Sequence, residues 1–386
     1  MTTACEPTPV LTERILTPRF ARLLVAAAGS GLSFYLLLSV VPLYVATSGS
    51  VASAGLTTGV LLLSTVVVEL AMTALIARFG YRSVIAVGLV LLGAPAALLP
   101  LSAALPLVLA VCVARGAGLA VMFVAGTALT AELVPPSRRG EGLGLYGVVV
   151  GVPAVVGLPA GVYLSGRIGF GTVFLLAAVT ALAGLVAVPG LPGRGDGRPA
   201  ALDGHAGLFR GPGLRTAVVF AVAALAAGVV VTFLPLAVSP ARGRLVAGAL
   251  LVQALLAPVS RWLAGWYGDR RGHRRLLVPA LLLTATGVAA LSRFDNAVVV
   301  LAGMVAFGIG FGAAQSVTLG VMFDQAGPGA HGRISALWNL AYDLGMGGGA
   351  LAFGLLVSTG ITYPTAFTLT AILLLVMVGV AISDRR

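Results

Sequence analysis

The chain has 386 residues, of which 59% are hydrophobic and only 9% charged, with a formal net charge of +12 and a mean hydropathy of +1.07. Soluble domains carry about 25% charged residues, so this composition excludes a water-facing shell and leaves lipid as the main solvent of the surface. All 24 basic residues are arginine; a phosphate-binding loop of the G-x-x-x-x-G-K-[ST] kind needs a lysine, so the chain is not expected to hydrolyse ATP.

Crossing the bilayer core takes about 20 apolar residues in a helix, because the hydrocarbon is about 30 Å thick and offers no water to unpaired backbone groups. Twelve such runs follow in chain order. Run 1 (20–45) holds Phe34 and Tyr35 and has the length of a retained span rather than a cleaved leader. Run 2 (54–77) carries Glu69, and run 3 (83–101) carries no charge within its apolar stretch. Run 4 (105–130) carries Cys112, Arg115 and Phe123. Cys5 lies in a polar tail and Cys112 in an apolar run, so no disulfide is expected. Runs 5 (142–164) and 6 (167–189) close an N-terminal half, 1–189. The stretch "GLPGRGDGRPAALDGHAGLFRGPG" is rich in Gly, Pro and charge, and 190–212 reads as a linker. The C-terminal half, 213–386, continues with run 7 (213–238; Phe220, Phe233), run 8 (245–268; Gln253, Arg261) and run 9 (275–293). Run 10 (296–321) carries Gln315, run 11 (332–358) carries Trp338, Asn339 and Asp343, and run 12 (362–382) ends the chain. The expected fold is an all-α integral membrane protein of twelve transmembrane helices in two pseudo-symmetric six-helix bundles.

With both termini placed in the cytoplasm, eighteen arginines fall in inner segments and four in outer ones. This is the positive-inside bias. It accounts for the basic balance as topology, and nucleic acid is not expected as a partner. The halves repeat at an offset of 192: Gly80 falls on Gly272, Gly140 on Gly332, Leu145 on Leu337, and Glu69 on Arg261. Parallel six-helix repeats with a substrate site between them are one architecture of secondary transporters.

Three stretches carry a family resemblance. In "GWYGDRRGHRR", 265–275, Gly265, Gly268, Asp269, Arg270, Gly272 and Arg274 are spaced as in the helix 2–3 loop of the major facilitator superfamily, in its second-half copy. "GVVVGVPAVVGLPAG", 147–161, with Gly147, Gly151, Pro153, Gly157, Pro159 and Gly161, resembles the family's antiporter motif. "RGAG", 115–118, resembles a third motif. The chain is similar to that superfamily over its whole length, and most of all to its twelve-helix proton-coupled drug and metabolite efflux branch. The resemblance implies an inner gate built around Asp269 with Gly265, Arg270 and Arg274, and a cavity lined by runs 1, 4, 7 and 10. The first-half copy of the loop has Thr73 and Ala77 where Gly265 and Asp269 stand, so the gate acid is not doubled.

Ionisable side chains at mid-depth are functional by default, since each costs at least about 2.5–3.5 kcal/mol to insert. Asp343, Glu69, Arg115 and Arg261 are the candidates for proton coupling, expected as the pairs Glu69–Arg115 and Arg261–Asp343. A static structural pair remains open for each. Phe34, Tyr35, Phe123, Phe220, Phe233, Gln253, Gln315, Trp338 and Asn339 are the expected cavity lining, an aromatic and amide surface suited to drug-sized molecules. Glu132, Glu141 and Asp324 sit at inner helix ends near arginines and read as gate or topology pairs. No His or Cys spacing makes a metal site, and no cofactor is expected. The expected protein is a monomeric, multi-pass exporter of the bacterial inner membrane, moving small organic molecules against protons. Proton-linked import of a sugar or organic acid is the alternative.

Overall fold

The computed structural model describes residues 15–47, 49–135, 138–193, 213–326 and 331–383, with 331 and 332 described by their backbone alone. Most of the expected linker, 194–212, lies outside the described residues. Among the described residues there is no strand. The helices are α1 (Pro18–Leu38), α2 (Val40–Ala46), α3 (Val51–Gly93), α4 (Leu105–Leu133), α5 (Arg139–Ile168) and α6 (Phe170–Ala183). They continue as α7 (Leu214–Ala237), α8 (Gly243–Arg271), α9 (Arg274–Ala290), α10 (Ala297–Gln325), α11 (His331–Ser358) and α12 (Tyr363–Ser383).

Helix starts follow local chemistry. Thr17 Oγ1 accepts from the Phe20 N–H at 3.2 Å, with Pro18 at the first helical position. Asn296 accepts from the N–H groups of Val298 and Val299 to open α10. Such caps satisfy N–H groups that the first turn leaves unpaired.

Eleven segments among the described residues are long and apolar enough to cross a membrane. α1 and α2 join into one of 29 residues, Pro18–Ala46. The expected runs at 54–77 and 83–101 fall together in Val51–Leu101, which is 51 residues long. A straight helix of that length would reach about 75 Å, more than twice the hydrocarbon thickness. It is broken at Gly80, where φ is 75° and ψ 162°, a conformation that only glycine adopts without strain.

That break has a counterpart. Gly272, 192 residues later, has φ 89° and parts α8 from α9. Gly169 (φ 82°) ends α5 and Gly360 (φ 96°) ends the α11 region, 191 residues apart. The offset seen in the sequence is thus also an offset in backbone geometry.

Packing relies on close backbone approach. A Cβ at Gly116 would stand 2.1 Å from the Leu61 carbonyl oxygen, and one at Gly228 would stand 2.0 Å from that of Met346. Small residues that let helices touch in this way are the usual glue where hydrocarbon gives no hydrophobic drive. Large apolar side chains such as Leu63, Val67, Val148, Val179, Val259 and Val376 are exposed. On water-soluble proteins this would be an aggregation hazard; here it fits a multi-pass membrane protein.

Candidate transport cavity

A cavity of about 830 Å³ lies between α1, α4 and α5 on one side and α7, α8, α10 and α11 on the other. Its mouth is at the arginine-rich end of the bundle, between the first turns of α5 and the last turns of α8. Along α5, a Cβ at Gly144, Gly147 or Gly151 would meet nothing within 4 Å. Across the mouth stand Gly265 and Asp269.

The opposite end is closed. Ser39 Oγ donates to the Val231 carbonyl at 2.8 Å, and these two residues are 192 positions apart. The hydroxyls of Thr58 and Thr232 lie 3.1 Å apart. A Cβ at Gly55 would stand 2.3 Å from the Ala350 carbonyl oxygen. The result is a cup, open at one end and sealed by backbone-level contacts at the other.

The cavity collects part of the expected lining. Phe34, Tyr35, Phe123, Gln253 and Gln315 face it, together with Arg261 and Asp343. Phe220, Phe233, Trp338 and Asn339 do not. Phe220 and Phe233 are fully buried behind the wall. Phe220 stacks on Trp338 with ring centroids 4.5 Å apart, and Phe233 packs on Phe353 at 4.6 Å. The Trp338 indole N–H donates to Thr318 Oγ1 at 3.1 Å. Asn339 is exposed, one turn from the buried Asp343.

The expected ion pairs are not formed. Arg115 is 1% exposed and sits away from the cavity. Its Nη1 donates to the Leu92 carbonyl at 2.5 Å and to Ser33 Oγ at 3.4 Å, and its Nη2 donates to the Ser33 carbonyl at 3.0 Å. It ties α1, α3 and α4 together through carbonyl oxygens rather than through Glu69. Arg261 donates to Gln315 Oε1 at 3.3 Å and lies over the Trp338 ring, 5.6 Å from its centroid. Among the described residues it has no carboxylate within ion-pair distance.

The two acids lie near each other instead. α3 meets α11 at Gly55, Gly59 and Leu62, against Ala350, Gly347 and Leu351. Steps of four and three residues mark one seam of a coiled-coil-like contact. Extending that seam brings Val66 and Glu69 opposite Asp343 and Asn339, and Glu69 lies within reach of the Asp343 charge. Tyr35 and Tyr342 line the cavity within reach of the charges of both Asp343 and Arg261. The cavity therefore has an acidic pole at Asp343 and a basic pole at Arg261, with two tyrosines near both.

At the mouth, Asp269 Oδ1 lies 3.3 Å from His273 Nε2, and Asp324 Oδ2 lies 3.2 Å from His273 Nδ1. The acid meets a histidine one turn on. Arg270 lies over the Trp266 ring, 3.8 Å from its centroid, and Arg274 is exposed at the start of α9. Glu141 pairs with Arg138 at 2.6 Å, and Glu132 accepts from the Tyr81 hydroxyl at 2.5 Å. His273 and Tyr342 escaped sequence reasoning although both adjoin singled-out acids: His273 stands at i+4 from Asp269, and Tyr342 directly precedes Asp343.

The glycine-proline stretch of α5 divides in two. Gly147 and Gly151 line the cavity. Pro153 packs on Gly31, where a Cβ would stand 3.1 Å from the proline ring. A Cβ at Gly157 would stand 2.8 Å from Tyr35 Cβ, and one at Gly161 would stand 2.2 Å from the Leu36 carbonyl oxygen. Pro159 lies within α5 between them.

A bundle of membrane-length helices around a cup with buried polar groups defines the class of a membrane transporter. The family model described as Major Facilitator Superfamily matches residues 23–350, with a second match over 217–385, and the chain belongs to that superfamily. Among solved structures, the nucleoside transporter NupG is similar at a TM-score of 0.73 and 12% identity, over 95% of this chain and 99% of that one. A substituted form of NupG is similar at 0.74 and 13%, with the same coverage. At such identity the likeness shows the fold alone. No curated protein matches by sequence.

Proposed function

We propose that the protein exports small organic molecules, drug-like or metabolite, by proton antiport with alternating access. The observation that carries this reading is the cup itself: about 830 Å³, open at one end, closed at the other, with a nearly buried acid in its wall. In this reading the groups α1–α6 and α7–α12 move as two halves divided by 190–212. Val51–Leu101 makes two crossings, giving twelve, and both termini and the open mouth face the cytoplasm of a bacterial cell. The protein acts as a monomer in the inner membrane.

Each part of the cup has a role. Asp343, with Glu69 beside it, carries the proton. Closure at the mouth brings the open face of α5, at Gly144, Gly147 and Gly151, onto α8 at Gly265. Asp269 leaves His273 for a partner across the mouth and latches the closed state. At the far end Ser39 and Thr58 must release Val231 and Thr232.

The test is flux in proteoliposomes with the pH gradient imposed in either sense. Substrate must move against the proton flow, and collapse of the gradient must stop it. Flux indifferent to the gradient refutes the coupling. One observation favours the second reading, proton-linked import of an organic acid: an exposed cation, Arg261, lines the cavity with no carboxylate paired to it among the described residues.

A further inference from the structure

We propose that Arg261 and Gln315 form a head-group subsite that takes the carboxylate of a hydroxylated or amino-bearing organic acid, and that Gln253 takes the hydroxyl or amino group at its other end. The inference rests on the cavity being the substrate site, and not on the direction of transport.

Three groups line one cavity. Arg261 lines the cavity and is exposed to it. A guanidinium has five donors, and one is spent on Gln315 Oε1. No acid neutralises the charge among the described residues. Because Gln315 accepts through its oxygen, its amide N–H₂ is left to donate beside the guanidinium. Two adjacent donor groups, one of them cationic, suit a carboxylate, which accepts charge-assisted hydrogen bonds at both oxygens.

The guanidinium is held from behind. Trp338 lies under it, itself fixed by the bond to Thr318 and by the stack on Phe220. The two aromatics expected in the lining thus position the subsite without facing the solute. Such a stacked arginine is not replaced by lysine without loss.

The third group sets the other end of the ligand. Gln253 lines the cavity, is 8% exposed, and its Oε1 is buried without a partner. A buried acceptor left unpaired costs about 1–3 kcal/mol, and a turn of the Gln253 side chain toward the cavity lets a donor on the solute satisfy it. Gln253 stands eight residues before Arg261 on α8, which is about 12 Å along the axis. The ligand therefore enters carboxylate toward the mouth and donor toward the closed end. Phe34, Tyr35, Phe123 and Phe311 flank the space between, which suits a flat or conjugated body. A cationic solute would meet an unneutralised arginine in the same cavity.

The test is arginine protection in the full-length protein in nanodiscs. Phenylglyoxal modification is read residue by residue by peptide mapping, with no gradient applied. The probes are 4-hydroxycinnamate, its methyl ester, and cinnamate. Well above its Kd, 4-hydroxycinnamate should slow modification of Arg261 about tenfold, as occupancy dictates, and leave Arg270 and Arg271 unaffected. The ester, lacking the charge, should not protect. Cinnamate, lacking the hydroxyl, should bind more weakly than the hydroxylated acid, and Gln253→Leu should erase that difference. Equal protection by acid and ester, or protection by neither, overturns the proposal. If instead protection holds and no probe moves in proteoliposomes, it is the transport reading that fails.

Discussion

The two ends of the α5 glycine stretch should respond in opposite ways to one added methyl. Gly147 and Gly161 lie on one helix, so the gain in helix propensity on changing Gly to Ala, up to about 1 kcal/mol, largely cancels between them. What differs is space. At Gly161 the methyl would stand 2.2 Å from the Leu36 carbonyl oxygen and 3.1 Å from Val40 Cγ2. Both neighbours belong to a packed seam that cannot swing aside, and overpacking of that kind costs about 1–3 kcal/mol. At Gly147 the methyl would meet nothing within 4 Å. Gly161→Ala should therefore melt below Gly147→Ala by about 1–3 kcal/mol, which is a few degrees. The assay is thermal unfolding in detergent of variants that also carry Cys5→Ser, followed by a thiol dye that reports exposure of Cys112, which is 1% exposed in the folded chain. Transport should invert the order of blame. Gly147→Ala folds, but its methyl stands where α5 must meet α8, so its flux falls at full folded yield. Equal melting of the two variants, or a lower melt for Gly147→Ala, would refute the reasoning.

Arg115→Lys cannot serve both the Leu92 and Ser33 carbonyls. It should lower thermal stability by about 1–3 kcal/mol, the cost of a buried acceptor left unpaired, while the folded fraction keeps its proton-to-substrate ratio. A normal melt with altered stoichiometry would restore Arg115 to the coupling path. Asp269→Asn touches an exposed contact with His273, and such pairs contribute about 1 kcal/mol or less, so its melt should match the parent protein. Its flux should fall if the acid latches the closed mouth, and normal flux would reduce the stretch to a topology anchor.

The fold was legible because its causes are one-dimensional. Run length and apolar content follow from bilayer thickness and need no knowledge of contacts. The repeat was legible because Gly80 and Gly272 answer to backbone geometry, where only glycine serves. The site was only partly legible because pairing is a three-dimensional fact. Depth alone suggested Glu69 with Arg115, but depth does not say on which face of a helix a residue stands. Arg115 turns toward α1 and α3, where the Leu92 and Ser33 carbonyls accept from its two Nη groups. Glu69 lies on the α3 seam that faces α11, which the spacing Gly55, Gly59, Leu62 marks in the sequence. The aromatic residues misled for a related reason: Phe220 and Trp338 are close to the cavity but stand one layer behind it, where they brace Arg261.

The direction of transport turns on the sign of one coupling. If an anion sits on Arg261, ionised Asp343, with Glu69 near it, opposes the anion. Binding of the anion and binding of a proton then favour one another, and linkage makes the effect mutual, typically about 1–3 kcal/mol. Positive coupling of this kind is the thermodynamics of symport, and it would carry an organic acid inward with the proton. Antiport needs the opposite sign, in which substrate and proton exclude each other. The two are separated by adding 4-hydroxycinnamate to the protein in weakly buffered solution and reading the pH. Net proton uptake supports import, and net release supports export. Asp343→Asn should abolish the pH change while leaving protection of Arg261 intact, because the residue belongs to the acidic pole and not to the anion subsite. A pH change that survives in both Asp343→Asn and Glu69→Gln would place the coupling proton elsewhere. The acid pair would then be only a contact between α3 and α11.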